Sequence, residues 1–144
     1  MTQTPAAALL SDSGVRAALR RAWDESHPGT AGGHEEGGFV LRDQAGHLTV
    51  VRWPQGFQNG IVLPPHPQCR AGEREIVASF HTHPNTANQY LQEPGETDTR
   101  AVRDDPDLKG ERYVGEIVIS NSIIYLIAPD GQVTAVGDTM TLLG

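Results

Sequence analysis

His81-Thr82-His83-Pro84 closes the apolar run Ile76-Val77-Ala78-Ser79-Phe80. In a strand the side chains alternate between faces, so His81 and His83 point the same way while Thr82 turns to the other side. Pro84 cannot donate to a sheet ladder, which ends the strand or leaves it at an edge. Two imidazoles side by side at a strand end are half of a zinc site. A catalytic zinc takes three protein ligands and leaves its fourth position to water, so one more ligand is required, commonly a carboxylate. Asp98 is the candidate, because Pro94-Gly95-Glu96 opens a helix whose first turn is a rigid mount close downstream. Glu96 is the alternative, and complementing the positive end of the helix dipole is a competing explanation for either acid. Upstream, Glu35 and Glu36 follow His34 in a Gly-rich segment, where a solvated loop is the competing explanation.

Several elements must position these residues. Val15, Ala18, Leu19, Ala22 and Trp23 recur at helical spacing with Arg16, Arg20 and Asp24 opposite, which predicts an amphipathic helix. Ser11, Asp12 and Ser13 are its N-cap candidates, and Ser26-His27-Pro28-Gly29 stops it. Residues 1–10 read as a loose N-terminus. Phe39-Val40-Leu41 and Leu48 to Trp53, separated by Asp43-Gln44-Ala45-Gly46, predict a hairpin. A loop over 54–60, a short strand at Ile61-Val62-Leu63 and a break at Pro64-Pro65-His66-Pro67 follow, and then the strand that starts near Arg74. Residues 84–97 read as an ordered loop, and the helix that follows runs to about Asp104, before Pro106. Val114 to Ser120, Ile123 to Ile127 and Gln132 to Val136 are β-prone, with a turn at Pro129-Asp130-Gly131. The expectation is one α+β domain over residues 1–144, a mixed β-sheet flanked by helices.

Composition narrows the function classes. A chain of 144 residues fits one domain and is long enough to bury a core without staples. No apolar run approaches the roughly 20 residues needed to span a bilayer, so no membrane role is expected. The first residues lack a basic stretch of signal-peptide type. Cys69 is the sole cysteine, which excludes an internal disulfide framework and a cysteine-rich zinc finger, and a cytoplasmic location is expected. The net charge is −7, and the densest basic stretch, Arg16, Arg20 and Arg21, lies beside Asp24 and Glu25. That balance argues against nucleic acid as a partner. No phosphate-binding glycine loop is present. His27, His34, His47 and His66 are isolated and read as surface or turn residues, Cys69 as an ordinary thiol. Trp53, Phe57 and Tyr90 are core aromatics or the lining of a groove.

Taken in order, Glu35-x-x-Gly38-x-Val40, then His81-x-His83-Pro84, then Pro94-Gly95-x-x-Asp98 resemble the JAMM metallopeptidases of the Jab/MPN domain. That family reads Glu-x-x-Gly on an early element, then His-x-His-Pro, then Ser-x-x-Asp. The motifs cover Glu35 to about Arg103, and the order of elements extends the likeness over most of the chain. The resemblance implies a cytidine-deaminase-like, MPN-type sheet. It implies Zn²⁺ as cofactor, held by His81, His83 and Asp98, with water as fourth ligand. By the same likeness Glu35 is the general base that takes a proton from this water and later returns it to the leaving amine. Glu35 keeps the motif's spacing to Gly38, whereas Glu36 is one residue out of register and would face the other way.

Two departures accompany the likeness. Gly95 stands where the family has a serine credited with stabilising the tetrahedral oxyanion, and the loss of such a donor costs on the order of 10²–10³ in rate. The Gly95 N–H and Thr97 are the available substitutes. The segment from Pro84 to Thr97 is also a few residues longer than in compact versions of the motif, which suggests a lid or a substrate-selecting loop.

The expected activity is therefore hydrolysis of an amide bond in a protein or peptide substrate, with the isopeptide joining lysine to the tail of a ubiquitin-like protein as the candidate that the resemblance implies. An extended tail of that kind would bind by strand addition. A toxin or effector protease of the same type is a variant of this reading. The rival classes are a non-catalytic MPN-like scaffold and a purely structural zinc site.

Overall fold

Asp12 starts the main helix, α2 (Ser13–Glu25): its carboxylate accepts the Val15 N–H at 3.0 Å, satisfying a donor that the first helical turn leaves unpaired. Val15, Leu19, Ala22 and Trp23 form the buried face. Ser26 closes the helix, its hydroxyl donating to the Trp23 carbonyl at 2.6 Å. The computed structural model describes residues 4–29, 33–58, 60–84 and 93–144.

The expected loose start is corrected over the described part of 1–10. Thr4 caps a helix, α1 (Pro5–Ser11), with Pro5 at its first position and Ala6, Leu9 and Leu10 buried. Pro at that position loses no hydrogen bond and has its φ already set. Seven residues are too few to hold a helix alone; Leu9 and Leu10 join the same core as Leu19 and Trp23, and this packing stabilises it.

The hairpin forms as expected, with β1 (Gly37–Arg42) antiparallel to β2 (Leu48–Arg52). Asp43 organises its turn by accepting the Ala45 and His47 N–H groups. After a 3₁₀ turn (Pro67–Cys69) and the two-residue β3 (Arg70–Ala71), the central strand β4 (Arg74–Thr82) pairs antiparallel with β1. Chain continuity then passes through α3 (Glu96–Arg103) and a second 3₁₀ turn (Pro106–Leu108) to β5 (Glu116–Ile119), β6 (Ile123–Ile127), β7 (Val133–Asp138) and a short α4 (Thr139–Leu143). The seven-stranded sheet runs β2-β1-β4-β5-β6-β7, with β3 beside β4. β4 and β5 are parallel and the other pairs antiparallel. This is the expected single-domain α+β architecture, a mixed sheet flanked by helices. The helix α4, absent from the sequence reading, is capped by Asp138 and buries Leu143.

Ile61-Val62-Leu63 is not a strand. Ile61 and Leu63 pack against a core cluster while Val62 is exposed, so burial of alternate side chains is met without a ladder partner. Most of the segment expected to be an ordered loop, residues 85–92 with Tyr90, lies outside the described residues. Among the described residues no helix is long and apolar enough to cross a membrane.

The sheet separates two cores. On one face α1, α2 and α4 cover Val40, Ala78, Phe80, Ile117 and Ile119. On the other, Val102 of α3, with Leu108 and Tyr113, covers Phe39, Trp53, Val118 and Ile127.

Candidate metal centre

His81 and His83 leave the C-terminal end of β4 on the α3 side, their ring centroids 5.1 Å apart. His81 is nearly fully buried and His83 half-buried. Asp98, the third residue of α3, reaches both: Oδ1 lies 3.4 Å from His81 Nε2 and Oδ2 lies 3.3 Å from His83 Nε2. The two Nε2 atoms are 3.2 Å apart. These three groups could hold a metal ion.

The donor set speaks to which ion fits. Metal–ligand bonds of about 2.0–2.1 Å in a tetrahedron set ligand atoms about 3.3–3.4 Å apart. The two Nε2 atoms, 3.2 Å apart, come close to that spacing, while Asp98 faces the two imidazoles with a different oxygen each. Octahedral magnesium would bring neighbouring ligands to about 2.9 Å and prefers oxygen throughout. A donor set of two imidazoles and one carboxylate suits zinc and its transition-metal neighbours.

The electrostatics of the triad follow from its burial. Burial disfavours a charged His81, yet the carboxylates of Glu116 and Asp98 outweigh it and hold its pKa well above the ordinary value. Burial likewise disfavours an ionised Asp98, but hydrogen bonds from His81, His83 and the Gly95 N–H pull its carboxyl well below the usual range. The Gly95 N–H donates to Asp98 Oδ2 at 2.9 Å, so it aims the ligand. It is not the spare donor that the missing serine called for. Thr97 is exposed in the first turn of α3. Glu96, the alternative ligand, points outward and lies 3.9 Å from Arg100.

Glu35 sits just before β1. Gly37 pairs with His81, and the pairing continues past the strand: the Thr82 N–H donates to the Glu36 carbonyl at 2.9 Å, and the Glu36 N–H to the Thr82 hydroxyl at 3.1 Å. Alternation therefore puts Glu35 on the side of His81 and Glu36 on the other. Its backbone is held twice, by Glu35 N–H to the Phe57 carbonyl at 2.6 Å and by Gly56 N–H to the Glu35 carbonyl at 2.9 Å. Burial raises the Glu35 pKa; His81 and His83 lower it, Asp98 and Glu116 raise it, and the balance is upward. The solvated-loop alternative fails for both acids, each only 7% exposed. Glu36 is engaged by Arg52 and His34, which gives His34 a structural role.

Gly38, the motif glycine, has a steric reason. A Cβ there would lie 2.6 Å from the Val51 carbonyl oxygen and 2.8 Å from the Phe80 ring. Any side chain would push β1 off its neighbours and shift Glu35 relative to the imidazoles.

Of the remaining candidates, Trp53 is core, Phe57 is largely exposed, and burial pushes the Cys69 thiol up, as expected of an unreactive thiol. Sequence reasoning missed Glu116, whose Oε2 lies 2.6 Å from His81 Nδ1, together with Ser79 and Tyr113 behind it. The signal was available: Glu116 and Ser79 are polar residues inside otherwise apolar β-prone runs. Compared with protein-family models, curated proteins and solved structures, the chain matches none.

Proposed function

We propose that this protein is a zinc-dependent amide hydrolase of JAMM type with an MPN-like fold. The single observation that carries the reading is the convergence of His81, His83 and Asp98, whose ligand atoms all lie within 4.8 Å of one another, with the buried Glu35 on the same side of the sheet. Zinc held there would supply Lewis acidity, polarising a substrate carbonyl and acidifying nearby water. His81 and His83 contribute Nε2 atoms and Asp98 a carboxylate oxygen. Glu35 moves the proton: its carboxylate accepts one from water and returns it to the leaving nitrogen. Its raised pKa favours holding the proton between the two tasks. The substrate is a protein or peptide, with the extended C-terminal tail of a ubiquitin-like protein as the leading candidate by family likeness.

A second reading, a metal-binding MPN-like scaffold without turnover, is favoured by the occupation of the Gly95 N–H by Asp98. One set of variants separates the two. Purified protein is expected to carry one zinc per chain by mass spectrometry of metals, and Asp98→Ala to lose it. Glu35→Gln is expected to keep the zinc. Its hydrolysis of labelled casein and of a ubiquitin C-terminal coumarin amide should fall by about 10²–10⁴. Zinc present with no hydrolysis by the unmutated protein supports the scaffold; zinc absent from it removes both.

A further inference from the structure

We propose that Glu116 is a positioning residue for the metal centre, holding His81 by Nδ1 so that Nε2 faces His83 and Asp98. This rests on the zinc-site reading above and extends it one layer inward. Glu116 Oε2 lies 2.6 Å from His81 Nδ1. Its other oxygen accepts the Ser79 hydroxyl at 2.9 Å, and Ser79 Oγ lies 2.6 Å from the Tyr113 hydroxyl. Ser79, His81, Glu116 and Tyr113 are each at most 5% exposed, so no water competes for these contacts.

Three features make the arrangement more than a buried ion pair. First, a carboxylate can only accept, so contact at Nδ1 keeps a proton there, and the proton that a metal would displace is the one on Nε2. Second, the backbone is fixed as well as the side chain. Ser79 is directly opposite Glu116 in the parallel β4–β5 pair, and the Ser79 N–H donates to the Gly115 carbonyl at 3.2 Å. Gly115 has φ +135°, and a Cβ there would lie 2.2 Å from the Ile127 carbonyl oxygen, so only glycine delivers Glu116 at this height. Third, Ser79 donates to the carboxylate oxygen that His81 does not use, and Tyr113 in turn holds Ser79, which restrains Glu116 from rotating away. Outer partners of this kind fix the tautomer and ring orientation of ligating histidines, and their loss weakens metal affinity about 10–100-fold.

The test compares the protein with Glu116→Gln, a near-isosteric change that replaces the carboxylate with a neutral amide able to donate as well as accept. Zinc affinity is measured by competition with a chromophoric chelator, and ligand geometry by the visible absorption of the cobalt-substituted protein. Glu116→Gln is expected to bind zinc about 10–100-fold more weakly and to show a shifted, weaker cobalt spectrum. Unmutated protein that binds zinc, paired with a variant of equal affinity and identical cobalt spectrum, overturns the role of Glu116 and leaves the metal centre standing. Unmutated protein that binds no zinc overturns the metal centre itself, and this proposal with it. Should Glu116→Gln not fold, long-range nitrogen–proton NMR of the zinc-loaded unmutated protein decides: a proton on His81 Nδ1 is expected, and a proton on Nε2 overturns the proposal.

Discussion

The two faces of the sheet are built from the same strands and each buries an apolar core, but only the α3 face runs a buried polar column through it. Beneath α1, α2 and α4 the side chains are aliphatic or aromatic, with Leu19, Phe80, Ile117 and Ile119 fully buried. Glu25, Glu36 and Arg52 form one ionic cluster on this face, with Glu36 buried. Beneath α3 the column Tyr113–Ser79–Glu116–His81 runs through the interior of the domain, and Glu35 and Asp98 meet it at one end. Burying a charge is costly unless it is paired and hydrogen-bonded. The α3 face meets that condition by chaining each group to the next; the α2 face meets it at one place, where Glu36 is engaged by Arg52 and His34. The α2 face is thus expected to contribute stability alone, and the α3 face both stability and chemistry.

The comparison is most exposed at Phe80. Phe80→Ala should destabilise the protein by about 3–5 kcal/mol in denaturant titrations, since the ring is fully buried and packs beneath α2. A loss under about 1 kcal/mol would contradict the assignment of stability to this face.

Tyr113→Phe probes the other side. It removes one hydroxyl from the chain while Ser79 keeps its bond to Glu116, so a cost of about 1 kcal/mol is expected, read from the urea midpoint. A much larger cost would mean that the polar column is itself a main source of stability.

The smallest effect is expected at His66, away from the triad on the α3 side. Its Nδ1 lies 2.7 Å from the Pro64 carbonyl oxygen and its Nε2 2.6 Å from Asp105 Oδ2, with Asp107 adding negative charge and the Phe39 ring packed alongside. Burial favours the neutral ring, but these acceptors prevail and raise the pKa. A group whose native pKa exceeds its unfolded value stabilises fully below the unfolded value, about 6.5. That stabilisation is lost as pH rises through the native value. His66→Gln should therefore cost up to about 1 kcal/mol at pH 5.5 and less at pH 8.5, measured by thermal unfolding at both. A gap that widens with pH would reverse the assignment.

Much of the site was legible because its signals are local. Alternation alone puts His81 and His83 on one face, and the same rule separates Glu35 from Glu36. Asp98 was legible as a first-turn acid of a helix with a clear start. The Ile61–Leu63 error has a physical cause, since β-branched composition fits any half-buried extended segment and does not require a ladder. Helices α1 and α4 were missed because elements of seven and five residues draw their stability from packing, not from a periodic signal.

The sequence by itself determined the residue types, the strand parity and the order of elements, because each depends on neighbours within a few positions. Only the tertiary structure decided which acid backs His81 and what the Gly95 N–H serves. Ser79 and Glu116 are 37 residues apart and meet through a parallel pairing of β4 with β5, a register that no local pattern encodes. The distance across the triad was settled in the same way, by how α3 docks against the end of β4.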